Sequence, residues 1–206
     1  MPCGGGDVGM NVWVEQGDVL FYLSRSGSFD ENNSLLKLGR FRISVSPALD
    51  MQSFRQVLHL NEGYVEVTDG LISIQLWADV NKPVVHVDMQ SIRERVNMAV
   101  TYENWRTHDT PLTKRSRFQT SYKFAAPKGL VTHHDSIVAT DHSVTFWHRN
   151  GETTIFDATV EQQGMTSVKE KLCNPLKHLT FGGKMKGDAA QVRSFYFRIP
   201  SYSSAA

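Results

Sequence analysis

The sequence predicts an all-β fold, an antiparallel sandwich with at most one or two short helices. Three observations carry this. Short stretches in which apolar and polar residues alternate with period two recur every 8–12 residues along the first half of the chain. Gly-, Asn- and Asp-containing turn pairs separate them, such as Asp69-Gly70 and Asn150-Gly151. Helical spacing is confined to one stretch, Glu161–Leu172, stopped by Asn174-Pro175.

The first strands lie in GGGDVGMNVWVEQGDVLFYLSRSGSFDENNSLLKLGRFRISV, residues 4–45. Met10, Val12 and Val14, then Val19, Phe21 and Leu23, give two half-buried strands joined at Gly17-Asp18 after Gln16. The opening glycines read as backbone that must approach a neighbour closely at the sheet's edge. A polar loop is expected from Ser24 to Ser34, and a third strand from Arg40 to Ser46. Ser53–Leu60 places Phe54, Gln56, Leu58 and Leu60 on one face, opposite Arg55, Val57 and His59. Tyr64–Val67 and Leu71–Trp77 follow around Asp69-Gly70, the latter with Ile72, Ile74 and Leu76 on one face. Asn81-Lys82-Pro83 then turns into a strand in which Val85 and Val87 alternate with His86 and Asp88. Arg95–Glu103 continues the series, and Asn104–Lys128 reads as a surface excursion with one short strand. Asp135–Thr140 and Ser143–His148 pair about Asp141-His142, with Arg149-Asn150-Gly151 as the next tight turn and Ile155–Thr159 as a strand. The last strands are His178–Phe181 and Gln191–Ile199, where Phe195, Phe197 and Ile199 alternate with Ser194, Tyr196 and Arg198.

Composition narrows the class. In 206 residues, 40% are hydrophobic and 10% aromatic, enough for a sizeable core. Lys and Arg number 22 against 21 Asp and Glu, a balance that does not point to nucleic acid. No apolar run reaches the roughly 18 residues of a membrane span. Cys3 and Cys173 fit no metal spacing; a disulfide and two separate thiols both remain open. No repeat or linker divides the chain, so one domain over 1–206 is expected, cut from a longer protein.

His133, His134 and Asp135 have metal-ligand chemistry, but neighbours on a strand face opposite sides, and no metal is expected there. Nucleophile elbows and phosphate loops are missing, so no catalytic residue and no cofactor is expected. Asp30-Glu31, with Asn32, is a carboxylate pair on a loop; glycoside chemistry needs two carboxyls roughly 5–10 Å apart, to which adjacent loop residues are poorly suited, so a solvated or capping loop is the favoured reading. Trp147-His148-Arg149-Asn150 and Trp77 put aromatic rings beside polar groups at strand ends, the combination that grips a sugar ring.

PCGGGDVGMNVWVE resembles the opening of the N-terminal β-domain of glycoside hydrolase family 95, and DENNSLLKLGRFRI, FRQVLHLNEGYVEV and IQLWADVNKPVVHV follow in that family's order. FWHRN and NPLKHLTFGG resemble later blocks of a related domain of unknown function in secreted bacterial proteins. This resemblance implies a large antiparallel β-supersandwich of the galactose-mutarotase-like kind, preceding an (α/α)₆ barrel that holds the acid and base. It implies a secreted or periplasmic protein whose 206 residues form a non-catalytic module, packing on that barrel and shaping its cleft. A free-standing carbohydrate-binding module acting through Trp147, Arg149 and Asn150, and a purely structural scaffold, are the alternatives. The expected partners are a glycan or the barrel. Asp7, Asp30–Asn32 and Trp147–Asn150 are expected to gather on one rim, with Arg149 reaching across it.

Overall fold

A computed structural model describes residues 1–122, 127 and 129–187; the strand expected over Gln191–Ile199 lies outside them. Every strand pairing among them is antiparallel. Strands β1 (Pro2–Gly5), β2 (Val8–Glu15), β3 (Asp18–Phe29), β4 (Leu35–Ser46) and β9 (Asn97–Glu103) make a five-stranded sheet in that order. Between β4 and β9 the chain forms a four-stranded sheet from β5 (Arg55–His59), β6 (Tyr64–Thr68), β7 (Ile72–Ala78) and β8 (Val85–Ser91). A short pair, β10 (Thr110–Pro111) and β11 (Val131–Thr132), brackets helix α1 (Lys114–Arg117). Strands β12 (Ser136–Thr140), β13 (Ser143–Arg149) and β14 (Thr180–Lys186) make the third sheet, with helix α2 (Ile155–Gln162) and a 3₁₀ segment (Thr166–Lys171) between its last two strands. The architecture is an all-β sandwich.

Alternation decides what each strand buries. Val12, Val19, Phe21 and Ile43 from the first sheet and Val65, Val67, Ile74 and Leu76 from the second share one core with Val144 and Phe146 from the third. Removing this apolar area from water supplies the main driving force, about 25 cal/mol per Å². Aromatic rings run through its centre: Phe21 stacks on Phe41 (4.8 Å between centroids) and Phe146 on Tyr102 (4.1 Å).

The opening glycines do allow a close approach. A Cβ on Gly5 would lie 2.7 Å from the Ala78 carbonyl oxygen, so β1 packs against the end of β7 only without a side chain there. Several local readings need correction. The first hairpin turns on Gln16-Gly17, both at positive φ, rather than on Gly17-Asp18, because Glu15 pairs with Asp18. Strand β3 runs on to Phe29, which shrinks the polar loop to Asp30–Ser34. Arg149–Gly151 is no hairpin: β13 pairs next with β14, and the intervening chain starts a helix where a strand was expected. Thr154 caps that helix, accepting from Phe156 N while Asp157 accepts from the Thr154 amide. The helix expected over Glu161–Leu172 is instead the end of α2 and the 3₁₀ segment.

Register in β3–β4 slips where Leu23 pairs with Gly39 and Ser24 with Lys37, leaving Leu38 as the extra residue. Leu38 is buried, and its carbonyl accepts the Tyr102 hydroxyl at 2.8 Å. Gly39 has φ 149°, and a Cβ there would stand 2.3 Å from the Tyr102 ring. Gly39→Ala therefore combines backbone strain with overpacking, and chemical denaturation should show a loss of about 2 kcal/mol or more. A loss below about 0.5 kcal/mol would mean that the bulge is not held against Tyr102.

Candidate functional site

Two groups of polar and aromatic residues could carry function, and they differ in exposure. The first surrounds the Asp30–Ser34 loop, where three distant segments meet. His148, on the inward face of β13, is 1% exposed. Its Nδ1 lies 2.9 Å from Asp135 Oδ1 and its Nε2 3.3 Å from Glu31 Oε2. An ionised carboxylate only accepts, so both ring nitrogens donate and the ring is an imidazolium. Arg106 grips Asp135 with two bonds, Nε to Oδ1 at 3.0 Å and Nη2 to Oδ2 at 2.6 Å. Asn104 donates to the same carboxylate at 3.0 Å. Two carboxylates thus balance one imidazolium and one guanidinium.

Burial opposes charge on His148, but the hydrogen bonds and fields of Asp135 and Glu31 prevail and raise its pKa to about 9. Burial pushes the Glu31 carboxyl up, but the hydrogen bonds it accepts, from the His148 ring and from backbone N–H groups including that of His133, outweigh burial, so its pKa falls. Asp30 goes the other way: its pKa is raised, chiefly by burial, although the backbone amides of Ser34 and Asn32 and the Thr132 hydroxyl donate to it. Asn32 donates to the Val131 carbonyl at 2.6 Å, and Glu31 O accepts from Ile155 N at the start of α2. Asn150 donates to the carbonyls of Phe29 and Leu176.

The structure brings Asp30, Glu31, Asn32, His148 and Asn150 together, but inward and not on an exposed rim. All five are buried because β3 and β13 bring them between sheets rather than to an exposed edge, and each bonds within the chain, although Asn150 Oδ1 has no hydrogen-bond partner among the described residues. Asp7 is exposed and pairs with Arg25 at 2.7 Å. Trp147 is half-buried on the outer face of the third sheet, beside Gly182, and Arg149 is exposed at the end of β13. His133 and His134 lie in a non-strand segment, so the opposite-face argument does not apply. Both Nδ1 atoms reach the Asp109 carboxylate, at 3.0 and 2.8 Å, and these bonds hold it well below the usual carboxylate range. Among the described residues no group of three or more metal-ligating side chains could hold an ion.

The second group is built around Trp77. The inward residues of β5–β8 are core, which turns the alternate positions to solvent. Register then aligns His59, Tyr64, Trp77 and His86 in one row across all four strands. His59 stacks on Tyr64 at 4.3 Å and Trp77 on His86 at 4.9 Å. The adjacent row is polar, with Glu66 opposite Gln75 and Gln75 opposite Asp88, about 7 Å along the strands. The Ser73 hydroxyl donates to Glu66 at 2.7 Å and His59 lies 3.1 Å from its other oxygen; these bonds lower the Glu66 pKa despite partial burial. Sequence reasoning picked out Trp77 but not its three aromatic neighbours. The outward parity of His59 and His86 was visible, whereas their alignment depends on strand register.

The fold and these surfaces define an all-β sandwich domain whose described residues include no helix long and apolar enough to cross a membrane. The chain belongs to the family described as Domain of unknown function (DUF5703), whose model matches residues 1–200. That match carries no link to glycoside hydrolase family 95. Comparison with curated proteins and with solved structures finds no match.

The buried charges make stability depend on pH with a definite sign. His148 has a raised folded pKa, so its contribution is complete below the unfolded value near 6.5 and is lost as pH rises through about 9. Thermal unfolding should show this alkaline decline, and His148→Gln should flatten it. Removing one member of a buried ion pair costs about 3–5 kcal/mol, so the variant should also be markedly less stable at pH 6. Identical alkaline slopes in the two proteins would show that His148 is not charged in the fold.

Proposed function

We propose that this domain is a recognition module of a secreted or periplasmic carbohydrate-active protein, binding a glycan across the outer face of its four-stranded sheet. The observation that carries this is the row His59–Tyr64–Trp77–His86 with Glu66, Gln75 and Asp88 alongside. Ring surface meets the C–H faces of a sugar, and carboxylates and an amide one row away meet its hydroxyls. The sequence resemblance to the β-domains of glycoside hydrolases supports the ligand class. Recognition, not bond cleavage, suits the acids at hand: Glu31 and Asp135 are at most 9% exposed and already bonded to His148.

Packing on a catalytic barrel is a second role, and the outer face of the five-stranded sheet favours it. There Trp13 and Tyr22 meet at 4.9 Å, Trp105 closes edge-on to Tyr22 while 44% exposed, and Lys37 lies over the Tyr22 ring. Arg42 bonds both Asp18 and Glu103 on the same face. Such mixed aromatic and paired-charge surfaces suit a contact between domains.

Calorimetric titration with plant and bacterial oligosaccharides tests the first role. Trp77→Ala should weaken binding about tenfold or more, with the melting temperature changing only by what a cross-strand pair contributes, about 1 kcal/mol or less. Trp105→Ala should leave glycan binding unchanged. Flat titrations across the panel, or equal losses from both variants, would contradict the assignment.

A further inference from the structure

On the outer face of the five-stranded sheet a shallow hollow of about 520 Å³ opens over β1, β2 and the β3–β4 bulge. Gly9 makes the room. It alternates with the buried Val8 and Met10, so a side chain there would point outward, and its Cβ would meet nothing within 4 Å. Its partner Gly4 is glycine for packing reasons, since a Cβ there would stand 2.7 Å from the Val8 carbonyl oxygen. Gly9 has neither such a contact nor a positive φ. A glycine inside a strand weakens it, and often marks a place where a ligand approaches the backbone.

The bulge supplies a charge. Extending the Tyr22–Arg40 and Leu23–Gly39 register without a slip would set Lys37 opposite Arg25, on the inward parity of Val8. The extra residue sets it opposite Ser24 instead, and a one-residue shift turns a side chain to the other face. Its ammonium thus lies 4.0 Å from the centre of the outward Tyr22 ring. Two buried donors hold the bulge, Arg106 Nη2 on the Lys37 carbonyl and the Tyr102 hydroxyl on the Leu38 carbonyl, both at 2.8 Å. The neighbouring cations are paired, Arg40 and Arg42 with Glu103 and Arg42 also with Asp18. Among the described residues no carboxylate pairs with Lys37, and no group bonds the Asn11 or Ser24 side chain beside it. Lys37 is the only charged residue lining the hollow.

We propose that this hollow binds a uronic acid residue of an acidic glycan, its carboxylate on the Lys37 ammonium and its hydroxyls on Asn11 and Ser24. A single ammonium matches a singly charged carboxylate, and the amide and hydroxyl beside it can both donate and accept. The gap at Gly9 lets the sugar ring reach the sheet. This site is separate from the Trp77 face. It lies on the β1 side of the face proposed for a domain contact, which would place the sugar at that boundary.

Titration of the full chain with trigalacturonic acid and with its methyl ester, read from backbone amide shifts, tests this. The acid should move the amides of Gly9, Asn11, Ser24 and Lys37, and bind at least about tenfold more tightly than the uncharged ester. Its affinity should fall as salt rises. Gly9→Val, which fills the gap, and Lys37→Met should each weaken binding about tenfold or more while the melting temperature is retained. Trp77→Ala should leave it unchanged, which keeps this result apart from the fate of the Trp77 face. No shift at the four amides, equal binding of acid and ester, or undiminished binding by both variants would overturn the proposal. So would acetate displacing the acid at equal concentration, which would leave a bare cation.

Discussion

The imidazolium of His148, held between Glu31 and Asp135, is the interaction on which the placement of the third sheet depends. Glu31 comes from the β3–β4 loop, Asp135 from the approach to β12, and His148 from β13, so one ring ties segments as much as 117 positions apart. Arg106 adds a fourth point, bonding Asp135 and the Lys37 carbonyl at the same time. Without this tie the third sheet would be held to the others by apolar contacts such as Val144 and Phe146, which lack direction. Taking four charges out of water costs about as much as their attraction returns, so the network adds little net stability. Its effect is on specificity, because any other docking of β13 would strand a buried charge.

That same engagement separates structure from function in this molecule. The acids that sequence chemistry would nominate for catalysis lie under the loop and are spent on holding sheets together. The outer sheet surfaces carry half-buried aromatic rings beside polar groups, the chemistry on which the proposed recognition rests. Aromatic residues serve both places, Phe146 and Tyr102 inside and Trp13 and Trp77 outside, and strand parity distinguishes them.

Parity was legible wherever a strand has one wet and one dry face. LISIQLW declares Ile72, Ile74 and Leu76 inward, and β7 follows it. The sandwich class and most hairpins came from the same signal. What was not legible depends on pairing at a distance. A run such as Asp30-Glu31-Asn32 looks solvated in sequence, and donors about 100 residues away, the His148 ring, the His133 amide and the Thr132 hydroxyl, join the local amides in making its burial tolerable. The Asn150-Gly151 pair misled for the same reason, since Asn150 is held by Phe29 and Leu176 and the chain turns into α2. That helix had a local sign in Thr154 and Asp157, the two halves of a capping box, overshadowed by the β-branched and aromatic residues nearby.

Nitrogen and proton magnetic resonance of the His148 ring reads its protonation between the two carboxylates. At pH 7.5 the ring should show two bonded, slowly exchanging N–H protons and the nitrogen shifts of an imidazolium, and should titrate near pH 9. A neutral ring at pH 7.5, with one bonded proton and a titration below pH 7, would contradict it.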